Sequence, residues 1–90
     1  MCRNIRPLNN FDPPATGSEV HDAALQYVRK IAGVTKPSKA NEEAFEHAVD
    51  AVTEISRELL ASLVTTAPPK DREVEAAKAK ERSRRRFAAA

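Results

Sequence analysis

The sequence contains few of the residues that usually build a catalytic or metal site. It has one cysteine, two histidines, two glycines, three phenylalanines, one tyrosine and no tryptophan. A single cysteine excludes an internal disulfide, and the spacing of Cys2, His21 and His47 matches no zinc motif. A glycine-rich phosphate loop, a Ser-His-Asp arrangement and an evident carboxylate pair are also missing from the sequence. The sequence therefore predicts no catalytic residue, no metal ligand and no cofactor.

Long apolar runs are missing as well. No segment approaches the roughly 18 apolar residues of a membrane span, and Arg3 and Arg6 are not followed by the apolar region of a signal peptide. A lone thiol is typical of a reducing compartment. We therefore expect a cytoplasmic protein without membrane contact.

The strongest pattern in the sequence is the helical spacing of its apolar residues, which predicts an all-α fold. We expect a small three-helix domain over residues 1–87, followed by a tail at 88–90. Thr16 and Glu19 fit a capping box and Gly33 a left-handed stop, which predicts a first helix over about 17–32. Apolar residues at intervals of three and four predict a second helix over about 40–64, capped by Ser38 or Asn41. Good helix formers predict a third over about 69–86, docked by its first two turns. Helices of these lengths with short loops are typical of a small helical bundle or of a helical hairpin with a third helix.

Residues 1–15 read as an ordered, non-helical arm. Ile5, Leu8 and Phe11 recur at every third residue, as on one face of a polyproline-like or 3₁₀ path, and we expect them to anchor the arm across the helices. The arm ends in Pro13-Pro14 before the first helix, and Pro68-Pro69 likewise precede the third.

Charge is unevenly distributed, although the net charge is only +2. The second helix is acidic, whereas residues 29–39 and 70–90 are basic. The densest run consists of Lys78, Lys80, Arg82, Arg84, Arg85 and Arg86. It is either a solvated helix end whose cations complement the helix dipole or a contact with phosphates; pairing with the acidic helix is a third alternative. Lys36 and Lys39 likewise belong to an ordinary capped loop or to an anion site at a helix N-terminus.

Cys2 permits three interpretations. It is a small side chain that pins the arm, or a redox-active or metal-binding thiol activated by Arg3, or an N-terminal nucleophile. His21 and His47 read as surface histidines.

Four segments of the chain together carry a resemblance to a known family. They are MCRNIRPLNNFDPPAT, ALQYVRKIAG, TKPSKANEEAF and LVTTAPPKDREVEAAKAK. They resemble a family of short bacterial proteins, the domain of unknown function twenty-two seventy-seven, from Met1 to about Phe87. The resemblance leads us to expect a complete stand-alone protein. It implies that MCRNIR is a shared feature, which makes Cys2, Arg3, Asn4 and Arg6 a candidate functional arm. It supplies no activity.

Three hypotheses for function follow. The first is a non-enzymatic interaction module that binds a protein or ribonucleoprotein partner through the arm and the basic surfaces. The second is an RNA- or DNA-binding accessory protein that uses the tail, the arm arginines and the 29–39 loop. The third is a thiol or metal protein centred on Cys2. The apolar stripe of the second helix is either fully covered within the chain or leaves a seam for a homo-oligomer.

Overall fold

The computed structural model describes the backbone of residues 5–89 and the side chains of residues 5–88. Within this range the fold is all-α, as predicted, with three helices: α1 (Gly17–Ala32), α2 (Glu42–Ser62) and α3 (Arg72–Ala89). A 3₁₀ turn (Lys39–Asn41) precedes α2. Two short strands that the sequence did not predict, β1 (Phe11–Asp12) and β2 (Lys70–Asp71), pair in parallel. Two residues per strand are too few to produce an alternating pattern.

The ends of α1 follow from the two predicted signals. The hydroxyl of Thr16 accepts the Glu19 amide at 3.1 Å, and the Glu19 carboxylate accepts the Thr16 amide at 2.9 Å. This reciprocal pair confirms the capping box. Gly33 has a φ of 74°, and its amide donates to the Arg29 carbonyl at 2.9 Å. A residue with a Cβ is strained at this φ, so glycine suits the stop.

The second helix is shorter than the predicted span of 40–64. Residues 40 and 41 belong to the 3₁₀ turn, and Leu63 already has an extended backbone. The prediction that Ser38 or Asn41 caps α2 was wrong, because neither side chain accepts a helix amide. Instead, the Asn41 side-chain amide donates to the Ser38 hydroxyl at 3.2 Å.

The hydrophobic core lies between α1 and α2. Its buried residues are Val20, Ala24, Val28 and Val49. The half-buried apolar residues packed against them are Leu25, Phe45, Ala48 and Val52. Two half-buried hydroxyls of α2, those of Thr53 and Ser56, donate to carbonyls of their own helix at 2.6 Å each, which satisfies them without a partner from another element. The core is small, as expected for a chain of this length.

The third helix begins later than predicted and is attached differently. The Lys70 amide donates to the Asn10 carbonyl at 2.8 Å, which holds residue 70 in β2. Asp71 then accepts the amides of Glu73 and Val74 at 2.8 and 3.1 Å, so α3 starts at Arg72 rather than near 69. Val74 is 50% exposed. The contact with the rest of the chain is therefore made by Arg72 and not by an apolar face of the first two turns.

The arm is described from Ile5 onward. Leu8 and Phe11 are half-buried, as anchors should be, whereas Ile5 is exposed. The two proline-rich segments pair with each other: Phe11 lies opposite Lys70 and Asp12 opposite Asp71. Asn10 supports this pairing, because its side-chain amide donates to the carbonyls of residues 67 and 68 at 3.2 and 3.1 Å.

The core predicts a sharp contrast between two valines. We expect Val28→Ala to lower the free energy of unfolding by about 2 kcal/mol, since Val28 is buried and the substitution leaves a cavity. Val64→Ala is the matched control, because Val64 is 94% exposed, and it should change stability by less than about 0.5 kcal/mol. Urea unfolding followed by circular dichroism measures both. Equal effects would contradict the placement of the core between α1 and α2.

Candidate functional site

The carboxylate of Glu19 joins the start of α1, the arm and the start of α3. Arg72 donates to both of its oxygens, at 2.7 Å to Oε1 and 3.0 Å to Oε2. Arg6 donates to Oε2 at 2.8 Å, and the Thr16 amide donates to Oε1 at 2.9 Å. We call these four residues the Glu19 clasp. A carboxylate that accepts four charged or backbone donors is held in one orientation.

The Glu19 clasp is electrostatically strong because its carboxylate stays ionised. Hydrogen bonds from Arg72, from the Thr16 backbone and from Arg6 lower the pKa of Glu19 from 4.5 to about 2, with the Arg72 bonds as the largest cause. The same pairing raises the pKa of Arg72. The side chain of Glu19 is only 17% exposed, so water competes little for its oxygens. With its lone pairs engaged by donors, Glu19 serves as a positioning group.

Arg72 also fixes the end of the arm. Its Nε donates to the Pro13 carbonyl at 2.6 Å, while its two terminal nitrogens hold Glu19. The guanidinium lies 5.8 Å from the centre of the Phe11 ring, and the Lys70 ammonium lies 5.5 Å from it. Both distances are within the range of a cation–π contact. The direction of α3 is thus set at its first residue by arm and α1 together.

An open groove lies where the arm meets the helix pair. Its volume is about 470 Å³, and residues 8–11 of the arm, the start of α1 and the last turns of α2 line it. Among the described residues that line the groove, Arg57 is the one that is charged. Because the first residues of α1 and the end of α2 share the groove, the two helices run antiparallel.

The basic residues predicted in the tail lie on α3, which is exposed along most of its length. Lys78, Arg82 and Arg85 recur at intervals of four and three, so they lie on one side of the helix; we call them the basic stripe. Ion pairs within the helix involve Lys78 with Glu75 at 3.7 Å, and Arg84 and Arg85 with Glu81 at 2.6 and 3.2 Å. Lys80, Arg82 and Arg86 make no ion pair with any other described residue. The helix therefore displays cations to solvent.

The predicted loop site is less organised. Lys36 and Lys39 are both exposed, and neither forms an ion pair with another described side chain. A side-chain bond from α1 holds the start of this loop: Arg29 donates through Nε to the Thr35 carbonyl at 2.9 Å. The structure does not bring the two lysines together with the basic stripe or with Arg6.

Cys2, Arg3 and Asn4 lie outside the described residues, so of the candidate functional arm only Arg6 is placed. Its side chain is 57% exposed and bound to Glu19. His21 and His47 are exposed, with the His21 Nδ1 3.9 Å from an oxygen of Asp22. Within residues 5–88, no three His, Cys, Asp or Glu side chains are grouped so that they could hold a metal ion. The hypothesis of a thiol or metal function at Cys2 stays a prediction.

Sequence reasoning missed the Glu19 clasp. Glu19 and Arg72 are 53 positions apart, and the capping box that singles out Glu19 gives no indication that Arg72 is its partner. The repetition of a double proline before α1 and α3 was the one available signal, since the paired strands directly follow or precede these prolines.

Comparison with known proteins gives one family. The model of a family described as uncharacterized conserved protein (DUF2277) matches residues 1–78. No curated protein and no solved structure matches the chain. Among the described residues, no helix has the length and apolar character needed to cross a membrane.

The Glu19 clasp predicts a specific dependence of stability on pH. A carboxyl whose folded-state pKa is lowered contributes stability that is complete above its ordinary pKa of 4.5 and is lost as the pH falls toward about 2. We therefore expect Glu19→Gln to melt at a lower temperature than the natural chain near pH 6, and the gap to shrink steadily between pH 4.5 and 2. Thermal melts over this range measure it.

Glu43→Gln is the matched control, because it makes the same change at an exposed position of α2 outside the Glu19 clasp. A gap between Glu19→Gln and the natural chain that stays constant down to pH 2 would show that Glu19 carries no pairing in solution.

Proposed function

The chain belongs to the DUF2277 family of uncharacterized conserved proteins, and we propose that it is a non-enzymatic interaction module that presents a basic helix to a protein or ribonucleoprotein partner. The family assignment carries no activity, so the proposal rests on the chain's own geometry. We place the module in the bacterial cytoplasm, in line with its single cysteine and its family resemblance.

The observation that carries the proposal is the way α3 is held. One end is fixed by the bidentate pair of Arg72 with Glu19 and by the pairing of β1 with β2. Beyond this end the helix extends as far as Ala89, and nearly all of its side chains are exposed. A helix that is anchored at one end and exposed along its length has a defined direction and an accessible surface.

The charge of α3 indicates the chemistry of the partner. The helix carries seven basic and three acidic residues, which leaves an excess of four positive charges. The basic stripe contributes three of the cations on one side. An acidic protein surface or the phosphates of a ribonucleoprotein are complementary to such a helix, and complementary charge accelerates association.

A purely structural account explains only part of this surface. Cations in the last turn of a helix interact favourably with its dipole, and Arg86 is in that position. The dipole effect falls off within one turn, however, so it does not extend to Lys80 or Arg82, and neither of these makes an ion pair with a described residue. Fixing α3 at its start also lowers the ordering entropy that a partner must overcome on binding.

Direct binding of RNA or DNA is the second candidate. It is supported by the spacing of the basic stripe, which lets one face of α3 follow a phosphate backbone. Neutralising several phosphates releases counterions, so this function requires a steep loss of affinity with added salt. A protein partner with a mixed surface gives a shallower dependence.

A pull-down from bacterial lysate tests the proposal and separates the two candidates. The natural chain carries a C-terminal affinity tag on a flexible linker, and bound material is identified by mass spectrometry and RNA sequencing with and without nuclease. We expect protein partners, and we expect Lys78→Gln/Arg82→Gln/Arg85→Gln to recover roughly tenfold less of them, about 1.4 kcal/mol of binding free energy. Partners that survive nuclease support a protein ligand, whereas loss of all partners supports nucleic acid.

The matched control is Lys30→Gln/Lys36→Gln/Lys39→Gln, which removes the same charge from the other basic segment. It should recover partners as the natural chain does. If the control loses the partners and the α3 variant keeps them, the binding surface is the 29–39 segment and the assignment to α3 is wrong.

A further inference from the structure

One broad face of the α1–α2 pair is apolar and uncovered in the described structure. Tyr27 and Ile31 of α1 are 47% and 67% exposed, and Ile55 and Leu59 of α2 are 61% and 57% exposed. At 100° per residue, Tyr27 of α1 and the pair Ile55 and Leu59 of α2 are rotated from the centres of their core stripes in the same sense, and Ile31 lies one turn beyond Tyr27. Because the helices are antiparallel, helical geometry places both sets on the same side of the pair. Ala23 and Ala48 lie beside them, and Lys30 of α1 borders this apolar face.

The chain's own third helix does not provide the cover. Its large apolar residues, Val74 and Phe87, are thirteen positions apart and lie on nearly opposite sides of the helix. Both are exposed. A helix that is polar around its whole circumference has no surface to lay on an apolar face.

The shape of the molecule shows how much surface remains. The accessible surface is 7291 Å², whereas a compact chain of 9.9 kDa exposes about 5,200 Å². The radius of gyration is 16.0 Å against about 12 Å for a compact domain of this length. Part of the excess is α3, and another part is the apolar face. A standard dimer interface removes about 800 Å² from each partner, and the apolar face would form the centre of such an interface.

We propose that the apolar face is a homodimer interface, in which two α1–α2 pairs stack face to face into a four-helix arrangement. A second copy is the occupant that matches best, because a flat apolar face is complementary to itself under two-fold symmetry. Four helices packed in two layers enclose one shared core, which a two-helix pair lacks. This inference concerns a different surface from the basic stripe and does not depend on the function proposed for α3.

The charge distribution also favours a second copy of the chain as the partner that covers the apolar face. Helix α2 carries six acidic residues and one basic residue, a net charge of −5, while α3 carries +4. These oppositely charged helices share no extensive contact within one chain. The acidic α2 of one copy attracts the basic α3 of another when the two come close, and burial of the apolar face holds them once they meet.

Sedimentation equilibrium of the full chain, over a wide concentration range and at low and high salt, tests the proposal. We expect a mass that rises to twice 9.9 kDa and persists in high salt, since burial of apolar surface is not screened. Ile55→Glu/Leu59→Glu should sediment as a monomer while keeping its helical circular dichroism. Val64→Glu is the matched control, at an exposed residue beyond the end of α2, and should dimerise like the natural chain.

Three outcomes would overturn the inference. The first is a natural chain that remains monomeric at the highest concentration, and the second is a dimer that survives the Ile55→Glu/Leu59→Glu change. The third is a dimer that disappears in high salt, which would place the contact on charged surfaces instead. Should the double variant fail to fold, Ile31→Glu probes the other end of the same face, and its unchanged dimer would also contradict the proposal.

Discussion

The bidentate pair between Glu19 and Arg72 is the contact on which the arrangement of the helices depends. Glu19 closes the capping box of α1, and the same carboxylate accepts Arg72 at the first residue of α3 and Arg6 from the arm. One side chain therefore sets where α1 begins and where α3 is attached. Without it, the links described for α3 would run to the arm alone, through the pairing of β1 with β2 and the Arg72 bond to the Pro13 carbonyl.

This reliance on a polar contact follows from the size of the core. Among the described residues only four apolar side chains are buried between α1 and α2, and α3 has no apolar stripe with which to extend this core. A helix without an apolar stripe has to be attached to the rest of the protein by hydrogen bonds and ion pairs. Helix α3 is therefore attached at its first residue and exposed along the rest of its length. Because the small core leaves α3 exposed in this way, its charged side chains are accessible for the proposed binding of an acidic partner. The apolar face left by the same two-helix core is the surface assigned to a second copy.

Residues close together in sequence were sufficient to predict those helix ends that depend only on contacts within the same helix. Thr16 and Glu19 are three positions apart and Gly33 directly follows its helix, so capping and termination could be read from neighbouring residues. Helix ends at which a hydrogen-bonding group can choose between several partners could not be predicted in this way. Asn41 has the right chemistry for a cap, yet its side chain bonds to Ser38 instead. Residues 69–71 have helix-compatible composition, yet Lys70 pairs with Asn10 from the far end of the chain.

The sequence by itself determined the fold class, the number of helices, the capping of α1 and the clustering of positive charge near the C-terminus, because these properties arise from periodicity and from contacts within a few residues. Only the tertiary structure decided that the two proline-rich segments pair, that Glu19 and Arg72 meet across 53 positions, and that α3 is exposed while one face of α1 and α2 is uncovered. Such outcomes depend on which distant groups satisfy each other's hydrogen bonds, and a charged residue in a linear sequence does not specify its partner.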